Sequence, residues 1–161
     1  MDRINRILEH PIFKECVKRN EMAEAKRCFC HHDIEHSCAV ARIAMLLNLE
    51  EGLGLSKDLV YGAALLHDSG RYKQYENGTP HDEAGADIAR QILPECGYEA
   101  DEIFCITAAI ASHRGSSMKT KEGALAELLF RADKMSRNCR FCKMYEECNW
   151  SEELKGQAFL W

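Results

Sequence analysis

Apolar residues recur along most of the chain at intervals of three and four, the spacing of a helix with one buried face. No segment alternates in the manner of a half-buried strand, and there is no internal repeat or low-complexity stretch. The pattern predicts a helix near 2–9, broken around Pro11, and a helical stretch through 12–27. A long helix follows from about 33 to 49, closed by Glu51-Gly52-Leu53-Gly54. The next begins after Ser56, a good N-cap, and ends at Gly70. Tyr72 to Gly78 reads as a polar loop. Thr79-Pro80-His81-Asp82 has the form of a helix start, with Thr as cap and Pro at the first position. That helix reaches about Leu93, where Pro94 is expected to stop it. Two further helices, near 99–113 and 122–138, are separated by a Gly- and Ser-rich loop from Arg114 to Thr120 and followed by a Cys-rich tail. The expectation is an all-α fold, a single-domain bundle of five to seven helices spanning 1–161.

Polar residues interrupt these apolar stripes at informative places. His36 shares a stripe with Val40, Ile43 and Leu47, and His67 ends the stripe Leu59, Ala63. His81 precedes Gly85, Ile88 and Ile92; His113 completes Ile103, Ile106, Ile110; Asp133 follows Leu125 and Leu129. Five metal-competent side chains thus fall on the inward faces of five helices, each near the end of its stripe. Leaving a buried polar group unsatisfied costs roughly 1–3 kcal/mol in proteins, so a shared metal centre would resolve all five burials together. Any one of these histidines alone reads as an ordinary hydrogen-bonded core residue, and Asp133 alone as a solvated or paired acid. Their convergence, with the adjacent His67-Asp68 pair, carries the inference.

The ordered pattern His36…His67-Asp68…Asp133 resembles the H…HD…D signature of the HD-domain metal-dependent phosphohydrolases. Its surroundings fit as well: Glu35-His36-Ser37 with Val40-Ala41 behind it, Leu65-Leu66-His67-Asp68-Ser69-Gly70-Arg71, and Ala132-Asp133-Lys134. His81 and His113 make the pattern similar to the H…HD…H…H…D subgroup with two metals, which includes the YqeK-type diadenosine tetraphosphate hydrolases and HD-type phosphodiesterases. The resemblance covers about residues 30–137, leaving a Cys-rich tail at about 138–161. It implies an HD-domain helical bundle that hydrolyses a phosphate ester or anhydride. It implies a first metal on His36, His67, Asp68 and Asp133, and a second on His81 and His113, with Asp68 bridging. Mixed imidazole and carboxylate donors suit iron, manganese or zinc. A metal-activated bridging hydroxide would then attack phosphorus, with Asp68 and Arg71 as catalytic residues. Arg71 could also hold a phosphate bidentately, and Arg114, Lys134 and Arg137 are further substrate-contact candidates. For each of these cations a solvated surface role is the plain alternative.

Composition narrows the substrate. A chain of 161 residues, 46% hydrophobic and 29% charged, is long enough for a real core. The formal net charge of −5 provides no general field for long nucleic acid and leaves room for a local basic pocket, so the substrate that the resemblance implies is a small phosphorylated molecule, above all a nucleotide. No apolar run approaches a bilayer span and no secretory signal is visible, so a cytoplasmic location is expected. Nine cysteines, an odd number, then read mostly as free thiols, with Cys105 as a core residue.

Two features stand outside the signature. Cys28 and Cys30 precede His31-His32-Asp33, and Cys139-x2-Cys142-x5-Cys148 follows the last long helix. Should the chain ends meet, these thiols could form a separate zinc or iron–sulfur site, although a second tight pair is missing. His31 and His32 could add a ligand or a substrate contact, but a helix start places them at the surface or near the cap. The aromatic tail, through Trp150 to Trp161, could fold back or meet a second subunit, which leaves a homodimer open. Two other functions are compatible with the ligand set: a non-catalytic metal-binding or sensing module, and a di-iron oxygenase on the same fold.

Overall fold

The computed structural model describes residues 2–112 and 121–156. Among them the regular elements are all helical: α1 (Arg3–Glu9), α2 (Pro11–Glu24), α3 (Ile34–Glu50), α4 (Lys57–Leu66), α5 (Arg71–Asn77), α6 (His81–Glu95), α7 (Ala100–Ser112), α8 (Lys121–Met135) and α9 (Glu152–Gly156), with a 3-10 turn at Cys139–Phe141. The fold is all-α, as the periodicity requires. Helices α3, α4, α7 and α8 pack around the main core, α6 lies along α7, and α2 and α5 close one end. Val40, Leu47, Leu59, Leu66, Ile92, Ile106, Ile110, Leu125 and Leu129 are buried there. Each such side chain contributes about 1.5–3 kcal/mol when fully buried.

Caps set the helix starts. The Asp2 carboxylate accepts from Asn5 N at 2.8 Å, Asp33 accepts from His36 N at 2.8 Å, and the Ser56 hydroxyl accepts from Leu59 N at 3.3 Å. After α3 the chain reverses through Gly52 and Gly54, whose φ values of 63° and 68° lie in the left-handed region. Asn48 fixes the return, donating to Leu55 O at 2.9 Å and accepting from Leu55 N at 3.0 Å.

Five local expectations are corrected. The helix after Ser56 stops at Leu66 rather than Gly70, and His67 is its C-cap. Tyr72–Gly78 is not a loop but most of α5. Its one buried residue, Tyr72, left no apolar period to read, and Asn20 on α2 holds it by accepting from Tyr72 N at 2.8 Å. Helix α6 is capped by Pro80 without a side-chain bond; Thr79 bonds to Asn77 Oδ1 instead. Pro94 lies inside α6, which continues to Glu95 because Ile92 and Leu93 are fully buried and Cys96 N still closes on Ile92 O at 3.1 Å. Helix α8 also ends early, at Met135, where the Ser136 hydroxyl donates to Asp133 O at 2.7 Å.

Glycine sets the geometry at the mouth of the bundle. A Cβ on Gly70 would lie 2.5 Å from Gly85 N and 2.6 Å from the Ala84 Cβ, so only glycine allows the turn after α4 to touch α6. That contact sets the first turn of α6, and with it His81, beside the His67-Asp68 turn.

Candidate metal centre and substrate cavity

The ends of α4 and α8 and the starts of α3 and α6 meet at one point. His36, His67, Asp68 and Asp133 each offer a donor atom, and these four atoms lie within 4.8 Å of one another. His36 Nε2 is 3.1 Å from Asp133 Oδ1 and 3.5 Å from Asp68 Oδ2; His67 Nε2 is 3.0 Å from Asp68 Oδ2. The second Asp68 oxygen faces another way: Oδ1 is 3.6 Å from His81 Nε2 and 4.0 Å from Arg71 Nε. The two oxygens of one buried carboxylate therefore address two different sets of residues.

Each imidazole is oriented from behind. His67 Nδ1 donates to Ala64 O at 2.6 Å, an acceptor-only partner that fixes the proton on Nδ1. His81 Nδ1 meets Gln74 Oε1 at 2.7 Å, and His36 Nδ1 meets the Ser136 hydroxyl at 3.1 Å, whose own proton goes to Asp133 O. All three rings thus turn Nε2 toward Asp68. Holding the distal nitrogen so that the proximal one can bind is how metal-ligating histidines are fixed.

The electrostatics call for a cation here. Burial works against a charge on His67, yet the adjacent Asp68 carboxylate overrides it and raises the His67 pKa. Burial likewise opposes ionisation of Asp68 and Asp133, but His67 and His36 hold both well below the usual carboxylate range. Two ionised carboxylates in a buried site with three Nε2 atoms fit a divalent ion, which would replace the proton on His67.

Above this cluster opens a cavity of about 460 Å³ whose lining includes Arg27, Arg71, Lys134 and Arg137. Phe29 and Trp150 supply aromatic walls, and Asp133 and Glu147 are the acids of the lining. A chain with a net charge of −5 thus gathers four cations over its most acidic buried site. Arg71, Lys134 and Arg137 are therefore cavity residues. Lys134 Nζ lies 2.7 Å from Asp133 Oδ2 and 4.7 Å from the Trp150 ring; Arg137 donates to His31 O and approaches His36 Nε2 at 3.0 Å. His113 and Arg114 lie outside the described residues.

His32 stands directly before the Asp33 cap, one of the two places expected for it, and is buried there; its Nδ1 meets Glu24 Oε1 at 2.5 Å while Tyr75 OH donates to the same oxygen at 2.7 Å. Its Nε2 accepts from Arg71 Nη2 at 2.8 Å, so Glu24 and His32 aim the guanidinium at the cavity. His31 is exposed, as its position at the helix start suggests. Asn20, also unforeseen, donates to Asp68 O at 3.0 Å and accepts from Tyr72 N, clasping the turn that carries the site. The spacing of His32 one turn before His36 was a usable signal; Glu24, Asn20 and Gln74 gave none.

The HD-domain family model matches residues 33–138. The chain belongs to the HD-domain family. It is 45% identical over 156 residues, 97% of each chain, to an uncharacterized protein of Clostridium beijerinckii. It is 32% identical over 127 residues to ribonuclease Y of Acetivibrio thermocellus, matching 79% of this chain but 22% of that enzyme. The crystal structure of a predicted HD superfamily hydrolase from an uncultured Thermotogales bacterium superposes with a TM-score of 0.69 at 25% identity, over 98% of this chain and 83% of that one. This HD-domain protein is a hydrolase, of the metal-dependent phosphohydrolase class. No helix among its described residues is long and apolar enough to cross a membrane.

Proposed function

We propose that this HD-domain protein hydrolyses a phosphoester or phosphoanhydride bond of a small nucleotide with two divalent ions of iron, manganese or zinc. The supporting observation is the split of Asp68: Oδ2 toward His36 and His67, Oδ1 toward His81, with each ring held from behind. In this reading His36, His67, Asp68 and Asp133 hold one ion. His81 holds the other with His113, which follows α7 directly in sequence, and Asp68 bridges them. The ions, when bound, lower the pKa of a water and neutralise phosphoryl charge. The chain's own residues do the positioning that phosphoryl transfer chiefly requires. Arg71, aimed by His32, forks onto phosphoryl oxygens; Lys134 and Arg137 flank it. Arg114 is a further phosphate contact by its place next to His113.

A cavity of about 460 Å³ lies within the range of small-ligand sites, and Phe29 and Trp150 offer faces on which a base can stack. The relatives called ribonuclease Y bear the name of an RNA-cleaving enzyme, which favours nucleotide phosphodiester or anhydride chemistry here. All nine cysteines are free, which suits a reducing cytoplasm. The test is phosphate or nucleotide release from a panel of dinucleoside polyphosphates, nucleoside mono- and triphosphates and cyclic dinucleotides with each metal added. Turnover that vanishes in Asp68→Ala is expected. Full metal occupancy without turnover on any member would refute the nucleotide reading. Metal content unchanged by His81→Ala and His113→Ala would refute the second ion.

A further inference from the structure

The Cys-rich tail has almost no core of its own. Among the described residues of 138–156 only Cys139 and Lys155 are buried, and Phe141 is 77% exposed. Between Asn138 and α9 the backbone makes a single 3-10 turn and isolated turns, closed by Cys142 N donating to Cys139 O at 2.9 Å. Yet this segment forms a wall of the substrate cavity through Glu147, Cys148, Asn149 and Trp150. An irregular segment with so little apolar burial needs another anchor.

The anchor is visible in what surrounds it. Cys139, Cys142 and Cys148 line a second, much smaller cavity together with Cys30, which stands over a hundred positions earlier, ahead of α3. Its volume is about 20 Å³, room for a single ion. Cys28, which the sequence grouped with Cys30, is exposed and absent from the lining. The fourth cysteine of the lining thus comes from across the fold rather than from a second tight pair in the tail. Lys155 also lines this cavity, buried, its Nζ 3.2 Å from Glu152 Oε1 and 4.4 Å over the Tyr145 ring. A buried ammonium there complements a four-thiolate zinc unit, whose formal charge is 2−.

We propose that Cys30, Cys139, Cys142 and Cys148 form a structural tetrahedral zinc site that staples the tail to the loop before α3 and fixes the Trp150 wall of the substrate cavity. The four side chains surround the cavity. Among the described residues the set whose donor atoms already lie within 4.8 Å is the histidine–aspartate cluster. Capture of Zn²⁺ forms four Zn–S bonds and releases the four thiol protons to solvent.

Cobalt distinguishes this site from the catalytic centre, because only thiolates give intense sulfur-to-cobalt charge-transfer absorption. The full chain carrying Asp68→Ala, purified under reducing conditions and loaded with Co²⁺, is expected to show that absorption and tetrahedral d–d bands, both displaced by Zn²⁺. Cys30→Ser and Cys142→Ser should lose them, Cys28→Ser and Cys38→Ser should keep them, and Cys148→His should bind with a shifted spectrum. Cys30→Ser leaves the tail sequence intact and Cys148→His retains a zinc donor, so misfolding of one variant does not decide the outcome. Absence of thiolate bands in the Asp68→Ala protein would overturn the proposal. So would a disulfide among the four in protein trapped with a thiol-blocking reagent, or acid-labile sulfide in the purified chain.

Discussion

The Glu24 carboxylate at the end of α2 lies 2.5 Å from Nδ1 of His32 and also accepts from the His32 backbone N at 2.7 Å. Both residues are buried, and this pair aims Arg71, the cation nearest Asp68 Oδ1. A carboxylate outside the family signature therefore positions a cation beside the signature's Asp68.

Glu24→Gln should lower stability by about 1–3 kcal/mol at neutral pH, the effect of weakening a buried charged hydrogen bond. Burial alone would raise the Glu24 pKa, but bonds from the His32 ring, the His32 backbone and Tyr75 hold it at about 2. A folded-state pKa below the ordinary carboxylate value gives stability that is complete above that value and lost as the pH falls toward 2. Burial lowers the His32 pKa, so acid favours the unfolded chain there as well. Urea midpoints measured from pH 7 down to 3 should show the wild-type and Glu24→Gln curves converging in acid; a constant gap would contradict the assignment.

Arg71→Lys keeps the charge but cannot span His32 and the phosphate together. A fall in kcat/KM of about tenfold, or ~1.4 kcal/mol, is expected, with metal content unchanged. Arg71→Ala should fall further. Steady-state kinetics beside metal analysis separates this from loss of the ions.

Gly70→Ala places a methyl group against the backbone of α6. Overpacking of this kind costs about 1–3 kcal/mol. Because His81 starts α6, the displacement should weaken one ion before the other. The unfolding temperature and the metal stoichiometry would both drop; a normal Tm with the wild-type metal content would show that the turn can relax.

Ser136→Ala removes the acceptor behind His36 Nδ1. Loss of such a support typically lowers metal affinity or activity by about 10–100-fold. Competition with a chromophoric chelator measures it directly. An affinity equal to wild type would mean that helix packing alone orients the ring.

Chelation should lower the Tm of the native chain, since an ion bound only by the folded state stabilises it by mass action. Readdition of metal restores it. The Cys30→Ser variant should retain that part of the shift belonging to the histidine–aspartate centre.

Much of this protein is determined by its sequence alone. Stripes at helical spacing fix α3, α4, α6, α7 and α8, because each must bury one apolar face. The same stripes place His36, His67, His81 and Asp133 at the ends of those faces. Periodicity is silent where a helix buries a single side chain, so α5 leaves no period in the sequence and is held instead by Asn20 accepting from Tyr72 N. Tertiary structure alone decided which polar groups meet across distant elements. Glu24 reaches His32, Asn20 clasps Asp68, and Cys30 joins thiols from the far end of the chain. Burial faces are local properties and leave a period in the sequence; pairing between elements depends on how helices cross, and close approaches such as Gly70 against Gly85 set that crossing.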